Sequence, residues 1–484
     1  MIARPPIVAI LGHVDHGKTT LLDYIRTTKV AAGESGGITQ SIGAYQAVFK
    51  DKKLTFIDTP GHAAFSQMRS RGASVADVVV LVVAADDSVK PQTIESIKHI
   101  KSAGVPYVVA INKIDKPDAN IEVVKAELTQ HEVFVEGYGG NTPFILISGK
   151  TGEGVDKLLE TILLLAELEE LSADPSGSLA APIIEAKMDQ KRGVLVSLIV
   201  KSGSLSVGDQ VSAELAGGKV RALFSDTGVS LQSASPGTPV QVLGFTSLPR
   251  VGEVVKLGAP VPLTPGVKGA HTPGVSESPA AGSDLLASPT ETRELKVILK
   301  ADTAGSLEAI KGSFATEVKI ITSDTGAISE SDVLHALATG SLILGFNVKA
   351  SSSVLKLAQA EGVVLKTYQI IYELLEYIEK KILKLMEPTI DEEELGVASV
   401  IKVFEINGDH IAGCSIVSGR IEVGDTVHLQ RGDTSKNAKI RSLRIGKDEV
   451  KKVEAGKECG IFLSPNLDVQ LKDAIIAYKK KLDD

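Results

Sequence analysis

The sequence predicts a multidomain fold of α/β and β units: a P-loop domain, a small β-barrel, a flexible linker, a small α/β domain, a long connecting helix and a C-terminal β-barrel. Three observations predict it. Gly12-His13-Val14-Asp15-His16-Gly17-Lys18-Thr19 fits G-x-x-x-x-G-K-[ST] and lies between an apolar strand run and a helical run. Apolar runs alternate with helical stretches as far as about Leu171, the signature of a doubly wound sheet. From Pro182, and again from Leu395, short alternating strands with glycine turns replace that pattern, as in small barrels.

Composition narrows the class. A chain of 484 residues exceeds a single core and should divide into several, and 43% apolar residues are enough to fill them. The net charge of -8, from 52 Lys/Arg against 60 Asp/Glu, opposes nucleic-acid affinity over the whole surface but leaves local basic patches open. Two cysteines, Cys414 and Cys459, exclude a disulfide framework and a four-cysteine zinc site, so a cytoplasmic location is expected. The first six residues lack the apolar region of a signal peptide, and the strongest apolar run, 78–85, is too short to span a membrane. No membrane partner is expected. That run reads as a central parallel strand.

In the first domain, 5–171, strand runs are expected at 54–57, 78–85, 107–111 and 144–147. The stretch 172–181, with Pro175 and Gly177, breaks the helical pattern, and the β-barrel occupies 180–258. Residues 259–292 are dense in Pro, Gly, Ser, Thr and Ala; too little apolar surface is available to offset ordering entropy, so a flexible linker is expected. The unit 293–366 alternates strand and helix, with strands at 295–299, 318–321 and 342–346 and helices at 306–314, 329–339 and 353–361. Ile371, Leu375, Ile378, Ile382 and Leu385 recur at helical spacing, which predicts a connecting helix within 367–388, stopped by Pro388. The last barrel is expected at 395–484. The segment 202–211 aligns without gaps with 418–427, sharing Ser-Gly, an aliphatic, Val-Gly-Asp and Val, which suggests two related barrels.

The nucleotide chemistry follows from motifs that each end a strand. Backbone N–H groups of the loop Gly12 to Thr19, with Thr20 opening the helix, wrap a polyphosphate; Lys18 reaches its terminal phosphates and Thr19 reaches Mg²⁺. Asp58-Thr59-Pro60-Gly61 places Asp58 where it reaches the metal through water and Gly61 where its N–H faces a γ-phosphate. In Asn112-Lys113-Ile114-Asp115 the Asp115 carboxylate accepts two hydrogen bonds from guanine, a donor pair that adenine lacks. Ser148-Gly149-Lys150 reads as a further base-contacting turn, in which the Gly149 N–H meets the guanine oxygen. Thr39, in Gly36-Gly37-Ile38-Thr39, is expected to complete the Mg²⁺ shell and to be released when the γ-phosphate is lost. His62 occupies the position that orients an attacking water. Residues 5–171 therefore read as a P-loop GTPase domain that takes GTP and Mg²⁺. His13 and His16 have no third ligand nearby in sequence, so they read as structural rather than as a metal pair.

Gly-His-Val-Asp-His-Gly-Lys-Thr, Gly-Gly-Ile-Thr-Gln, Asp-Thr-Pro-Gly-His and Asn-Lys-Ile-Asp together resemble the bacterial-type translation initiation factor 2 family. Leu299-Lys300-Ala301-Asp302, Gly305-Ser306, Gly326-Ala327-Ile328-Ser329-Glu330-Ser331-Asp332, Gly345-Phe346-Asn347-Val348 and Ile411-Ala412-Gly413-Cys414 resemble its later domains. The resemblance implies a translation initiation GTPase that binds formylmethionyl initiator tRNA, docks on the small ribosomal subunit, promotes joining of the large subunit and then hydrolyses GTP to GDP and phosphate. It also implies other initiation factors as partners, and the factor is expected to be a monomer off the ribosome. By resemblance, Val14 and Ile38 form an apolar gate beside the catalytic His62. Cys414, Arg444, Lys447, Glu458, Cys459 and Gly460 match the tRNA-binding barrel by the same resemblance.

Read from the residues alone, both cysteines favour core packing. Residues 431–458 carry nine Lys/Arg against five Asp/Glu, which suits a phosphate-contacting face or a solvated strand. The sequence departs from the family at Arg444-Ile445-Gly446-Lys447, where a Lys-Arg-aromatic-Lys stretch is usual, at the linker 259–292, where a charged helix is usual, and at Ser41, where histidine is common. The N-terminal extension common in bacteria is expected to be absent. The first departure motivates an alternative, a GTP-switched ribosome-assembly or regulatory factor that carries no aminoacyl-tRNA. A metabolic ATPase is opposed by Asn112-Lys113-Ile114-Asp115.

Overall fold

The computed structural model describes residues 1–26, 39–258 apart from 190 and 215, 294–386, and 392–480 apart from 407, 408, 432, 433, 447, 466, 468 and 472. Ile38, Lys447 and the expected linker 259–292 lie outside the described residues. The chain divides into two compact units, Met1–Glu379 and Lys380–Asp484.

In the first unit six strands form one sheet in the order Gly43–Phe49, Lys52–Asp58, Ile7–Gly12, Val78–Ala84, Tyr107–Asn112, Phe144–Leu146. All pairings are parallel except that of Gly43–Phe49 with Lys52–Asp58. Val78–Ala84 is buried at every position, because helices cover both faces of a parallel sheet and leave no polar side to its strands. The connecting helices are α1 (Lys18–Arg26), α2 (Ser66–Val75), α3 (Pro91–Ala103), α4 (Ile121–Gln130) and α5 (Val155–Leu168). Helix α3 begins with proline at its first turn and ends at Gly104, whose φ of 67° lies in the left-handed region that favours glycine. Gly12, Asp58 and Asn112 all terminate their strands at the carboxyl edge of the sheet, where doubly wound folds bind ligands.

A seven-stranded antiparallel sheet follows and closes on itself by pairing Gln210–Ser212 with Gly217–Phe224. Val196, Leu198, Val211, Leu223 and Val242 fill it. A four-stranded parallel sheet comes next, ordered Val318–Thr325, Leu295–Ala301, Leu342–Phe346, Leu365–Tyr368, with helices α6 (Ala304–Ser313), α7 (Glu330–Thr339) and α8 (Ser352–Ala360). Ser329 and Asp332 form a reciprocal capping box at the start of α7. Helix α9 (Ile371–Met386) starts at the first residue of the apolar spacing, after Thr367 and Tyr368 have paired with Gly345 and Phe346 as the edge strand. Its buried stripe runs through Ile371, Leu374 and Ile378 rather than through Leu375.

The second unit is an antiparallel sheet closed by pairing Glu392–Ile406 with Asp409–Glu422. The internal repeat appears in its hydrogen bonds. Asp209 accepts from Ser206 N at 2.7 Å, and Asp425 accepts from Glu422 N at 2.7 Å. Gly208 N donates to Val220 O as Gly424 N donates to Ile440 O, both at 2.9 Å. The Val-Gly-Asp triplet thus builds the same turn in both barrels.

Candidate nucleotide site and C-terminal barrel

A cavity of about 380 Å³ lies at the carboxyl edge of the six-stranded sheet. Val14, Asp15, Gly17, Lys18, Thr19, Thr20, Thr39, Gly61, His62, Asn112, Lys113, Asp115 and Lys150 line it, together with Lys116. Segments far apart in sequence converge because most of them follow a strand of that sheet, while Thr39 lies just before the strand Gly43–Phe49. The Thr19 and Thr39 hydroxyls stand 2.8 Å apart. Asp58 shares a second cavity, of about 340 Å³, with both threonines. Two hydroxyls and a nearby carboxylate form the hard oxygen set that suits Mg²⁺.

On the phosphate side, Lys18 Nζ donates to His13 O at 2.6 Å. Burial lowers its pKa to about 8, against the opposing pull of Asp58. Gly61 must be glycine, since a Cβ there would come within 2.6 Å of Lys18 Nζ and 2.8 Å of Val14 N. His62 Nδ1 accepts from Ala64 N at 2.8 Å, so the neutral ring carries its proton on Nε2. Burial, followed by the neighbouring Arg69 charge, lowers the His62 pKa below the ordinary value. Tyr372 of α9 packs against this ring with centroids 4.2 Å apart. Val14 N donates to Gln92 Oε1 at 3.0 Å; its expected gate partner, Ile38, lies outside the described residues.

On the base side, Ser148 Oγ donates to Asp115 Oδ1 at 2.7 Å and holds that carboxyl below the usual range. Asn112 Nδ2 donates to His16 O at 2.8 Å, and Asn112 Oδ1 accepts from Gly149 N at 2.9 Å. The sequence directs the Gly149 N–H at a guanine oxygen; in this structure it donates to Asn112 Oδ1. A Cβ on Gly149 would stand 3.1 Å from Leu21 N and Cα, a tight contact that shows how closely this turn approaches α1. Ile114 N reaches Ile147 O at 3.4 Å and supports the same turn. Lys113 and Lys116 both contact Asp86, whose carboxyl they hold below the usual range against the effect of burial.

Gly12, His13, His16, Thr59, Pro60, Ser148 and Gly149 support the cavity from outside its lining. Thr59 Oγ1 donates to Ile10 O at 2.7 Å. The His13 and His16 rings meet edge-on with centroids 5.0 Å apart, and burial lowers the His16 pKa to about 4. Among the described residues no group of three or more metal-ligating side chains comes together.

Sequence reasoning missed Arg69, Glu95, Gln40 and Tyr372. Arg69 is fully buried, and the one hint of it is a pair of arginines, Arg69 and Arg71, in a stretch of small residues. Gln40 Nε2 donates to Gln369 O at 2.9 Å, while its Oε1 accepts from Ile371 N at 3.0 Å, so the Thr39 segment holds the start of α9.

In the C-terminal barrel Cys414 pairs with Cys459 across adjacent strands, and Gly460 lies between Gly413 and Arg444. The resemblance assigns both thiols to a tRNA pocket; in the structure Cys414 is 1% and Cys459 6% exposed, packed in the apolar core of the barrel. Burial raises both thiol pKa values, that of Cys459 to about 11, so neither is a reactive thiolate at neutral pH. Arg444 and Glu458 are exposed, and the Arg444 guanidinium lies 5.9 Å over the Phe462 ring. The Ile445-Gly446 departure sits at a hairpin tip, where Ile445 pairs with Asp448 and Gly446 has a φ of 63°.

Comparison with known proteins gives four family matches. Residues 4–167 match Elongation factor Tu GTP binding domain, 178–257 Elongation factor G domain 2, 279–379 Translation-initiation factor 2 and 409–464 Elongation factor Tu domain 2. Translation initiation factor IF-2 of Petrotoga mobilis is 44% identical over 98% of this chain and 71% of its own length. That of Geobacillus sp. (strain WCH70) is 43% identical over 99% of this chain and 68% of its length. That of Lachnospira eligens is 43% identical over 99% and 53%. The chain thus spans between about half and 71% of the length of these three relatives. The crystal structure of GDP-bound aIF5B from Aeropyrum pernix aligns at 25% identity and a TM-score of 0.49, over 98% of this chain and 92% of that one.

Proposed function

Because this chain belongs to the translation initiation factor IF-2 family, we propose that it is a ribosome-stimulated GTPase that places formylmethionyl initiator tRNA on the small ribosomal subunit and promotes subunit joining. The observation that carries the GTPase reading is the convergence of Lys18, Thr19, Thr39, Gly61, His62 and Asp115 on one cavity. Asp115 reads guanine, and Lys18 neutralises the terminal phosphates. Thr19 and Thr39, with Asp58 through water, would hold the Mg²⁺ that offsets phosphate charge. His62, neutral and bearing its proton on Nε2, orients the attacking water when the ring turns from Tyr372 toward the phosphate. The partners follow from the family: initiator tRNA, both ribosomal subunits and other initiation factors, in the cytoplasm, with the factor a monomer when free. Among the described residues no helix is long and apolar enough to cross a membrane.

GTP hydrolysis by the purified protein, alone and with ribosomal subunits, initiator tRNA and message, tests this directly. Strong stimulation on subunit joining is expected; slow turnover indifferent to ribosomes would overturn it. The core position of both thiols and the Ile445-Gly446 tip favour a second reading, a GTP-switched assembly or regulatory factor that carries no aminoacyl-tRNA. Equal affinity for formylmethionyl-tRNA and the same tRNA uncharged would select it.

A further inference from the structure

We propose that Arg69 is a positioning residue for the γ-phosphate side of the site, setting the orientation of the Pro60 to His62 peptides; the inference rests on the GTPase reading above. Arg69, on α2, has no solvent exposure. Its Nη1 donates to the carbonyl oxygens of Pro60 and Gly61, each at 3.1 Å, and to that of His62. Its Nη2 donates to Ala63 O at 3.4 Å and to Glu95 Oε2 at 2.7 Å. One guanidinium thus collects four successive carbonyls, a task that suits its rigid planar fork and not a single ammonium.

The geometry assigns the consequence. In a trans peptide the C=O and the following N–H point in opposite directions. Among the described residues the cis bond recorded is Ser464-Pro465, so the Pro60-Gly61 bond is trans. With the Pro60 carbonyl drawn toward Arg69, the Gly61 N–H points the other way, and Gly61 lines the phosphate cavity beside Lys18. The Gly61 carbonyl, held likewise, turns the His62 N–H and sets where that ring begins. Glu95 anchors the guanidinium from α3 and accepts from His99 at 3.2 Å if that ring is protonated at Nε2. The donors that meet a γ-phosphate are therefore pre-oriented by a group outside the nucleotide motifs.

GDP lacks the phosphate that this loop meets, so the effect on the two nucleotides must differ. Arg69→Gln and Arg69→Lys are compared with wild type for GTP and GDP affinity, ribosome-stimulated kcat and thermal unfolding. Arg69→Gln is expected to lower kcat roughly 10- to 100-fold, somewhat less than outright loss of a transition-state donor, and to weaken GTP while GDP affinity changes less than about twofold. Arg69→Lys keeps the charge but not the fork and should recover only part of the loss. Equal weakening of GTP and GDP, or unchanged kcat in a folded variant, would overturn the proposal. Should both variants fail to fold, Glu95→Gln loosens the anchor and leaves the carbonyl contacts in place; it should lower the GTP preference in the same sense, and an unchanged preference would refute the idea. Wild-type protein that neither prefers GTP nor hydrolyses it would instead refute the GTPase reading.

Discussion

His62 shows how much of its chemistry is set by neighbours. An N–H from Ala64 fixes the tautomer, and burial with the Arg69 charge keeps the ring neutral. His62→Ala should retain GTP and GDP affinity while ribosome-stimulated hydrolysis falls roughly 100-fold or more, as loss of a water-positioning group does. Single-turnover hydrolysis at saturating ribosome checks it, and unchanged turnover would remove His62 from that role. Glu185 poses a different residue-scale question. Its Oε1 accepts from Ala186 N and from Gly305 N at 3.1 Å, joining the first barrel to the start of α6, while Oε2 is buried without a hydrogen-bond partner. Burial raises its pKa from 4.5 to about 7, with Asp302 adding to the rise and the two backbone donors opposing it. The folded state therefore binds more protons than the unfolded chain between those values, so stability is lost as pH rises through that window, and the loss is complete above about 7. Ionising the carboxyl in place costs on the order of 3 kcal/mol. Glu185→Gln keeps the acceptor and removes the charge. Its Tm relative to wild type should climb between pH 5 and 8, and parallel curves would show that the carboxyl does not titrate there.

At the scale of elements, α9 carries a contact that no motif announces. Tyr372 packs on His62, and Gln40 clamps Gln369 and Ile371, so the start of this helix rests on both segments that would respond to a γ-phosphate. A ring pair of this kind is worth about 1 kcal/mol, or roughly fivefold in an equilibrium. Tyr372→Ala should therefore raise ribosome-free GTP turnover a few-fold by releasing the His62 ring, while nucleotide affinity holds. Turnover equal to wild type would make the contact a bystander. The nucleotide motifs were legible in the sequence because each sits at the end of an apolar strand, and strand ends in a parallel sheet meet at one edge. Glu185 and Tyr372 were not, because their partners come from elements remote in sequence, and Arg69 was not, because no local period encodes a guanidinium folded back onto the loop six to nine residues before it. The start of α9 within 367–388 is set by the edge pairing of Tyr368 with Phe346, which no local period encodes.

Across the whole molecule, the fold uses one turn twice, in two barrels whose chemistry need not match. Asp209 and Asp425 make equivalent hydrogen bonds, and their segments match domain 2 of elongation factors G and Tu respectively. The second barrel differs in its charge, with nine Lys/Arg between Arg431 and Glu458 against five Asp/Glu. Its thiols are buried, so the proposed contact with an RNA end is tested first at exposed residues. Arg444 is the best placed, exposed beside Gly460 and 5.9 Å over the Phe462 ring, an aromatic that stands close to where the hairpin tip lacks one. Two modes of contact with tRNA are then distinguishable by salt. If Arg444 meets a phosphate, Arg444→Ala weakens charged and uncharged tRNA alike and reduces the slope of log affinity against log salt by about one. If it meets the aminoacyl end, the variant loses the preference for formylmethionyl-tRNA while the slope holds. The first outcome is expected, since the guanidinium is exposed on a basic strand surface; unchanged affinity and slope together would move the tRNA contact away from this face of the barrel.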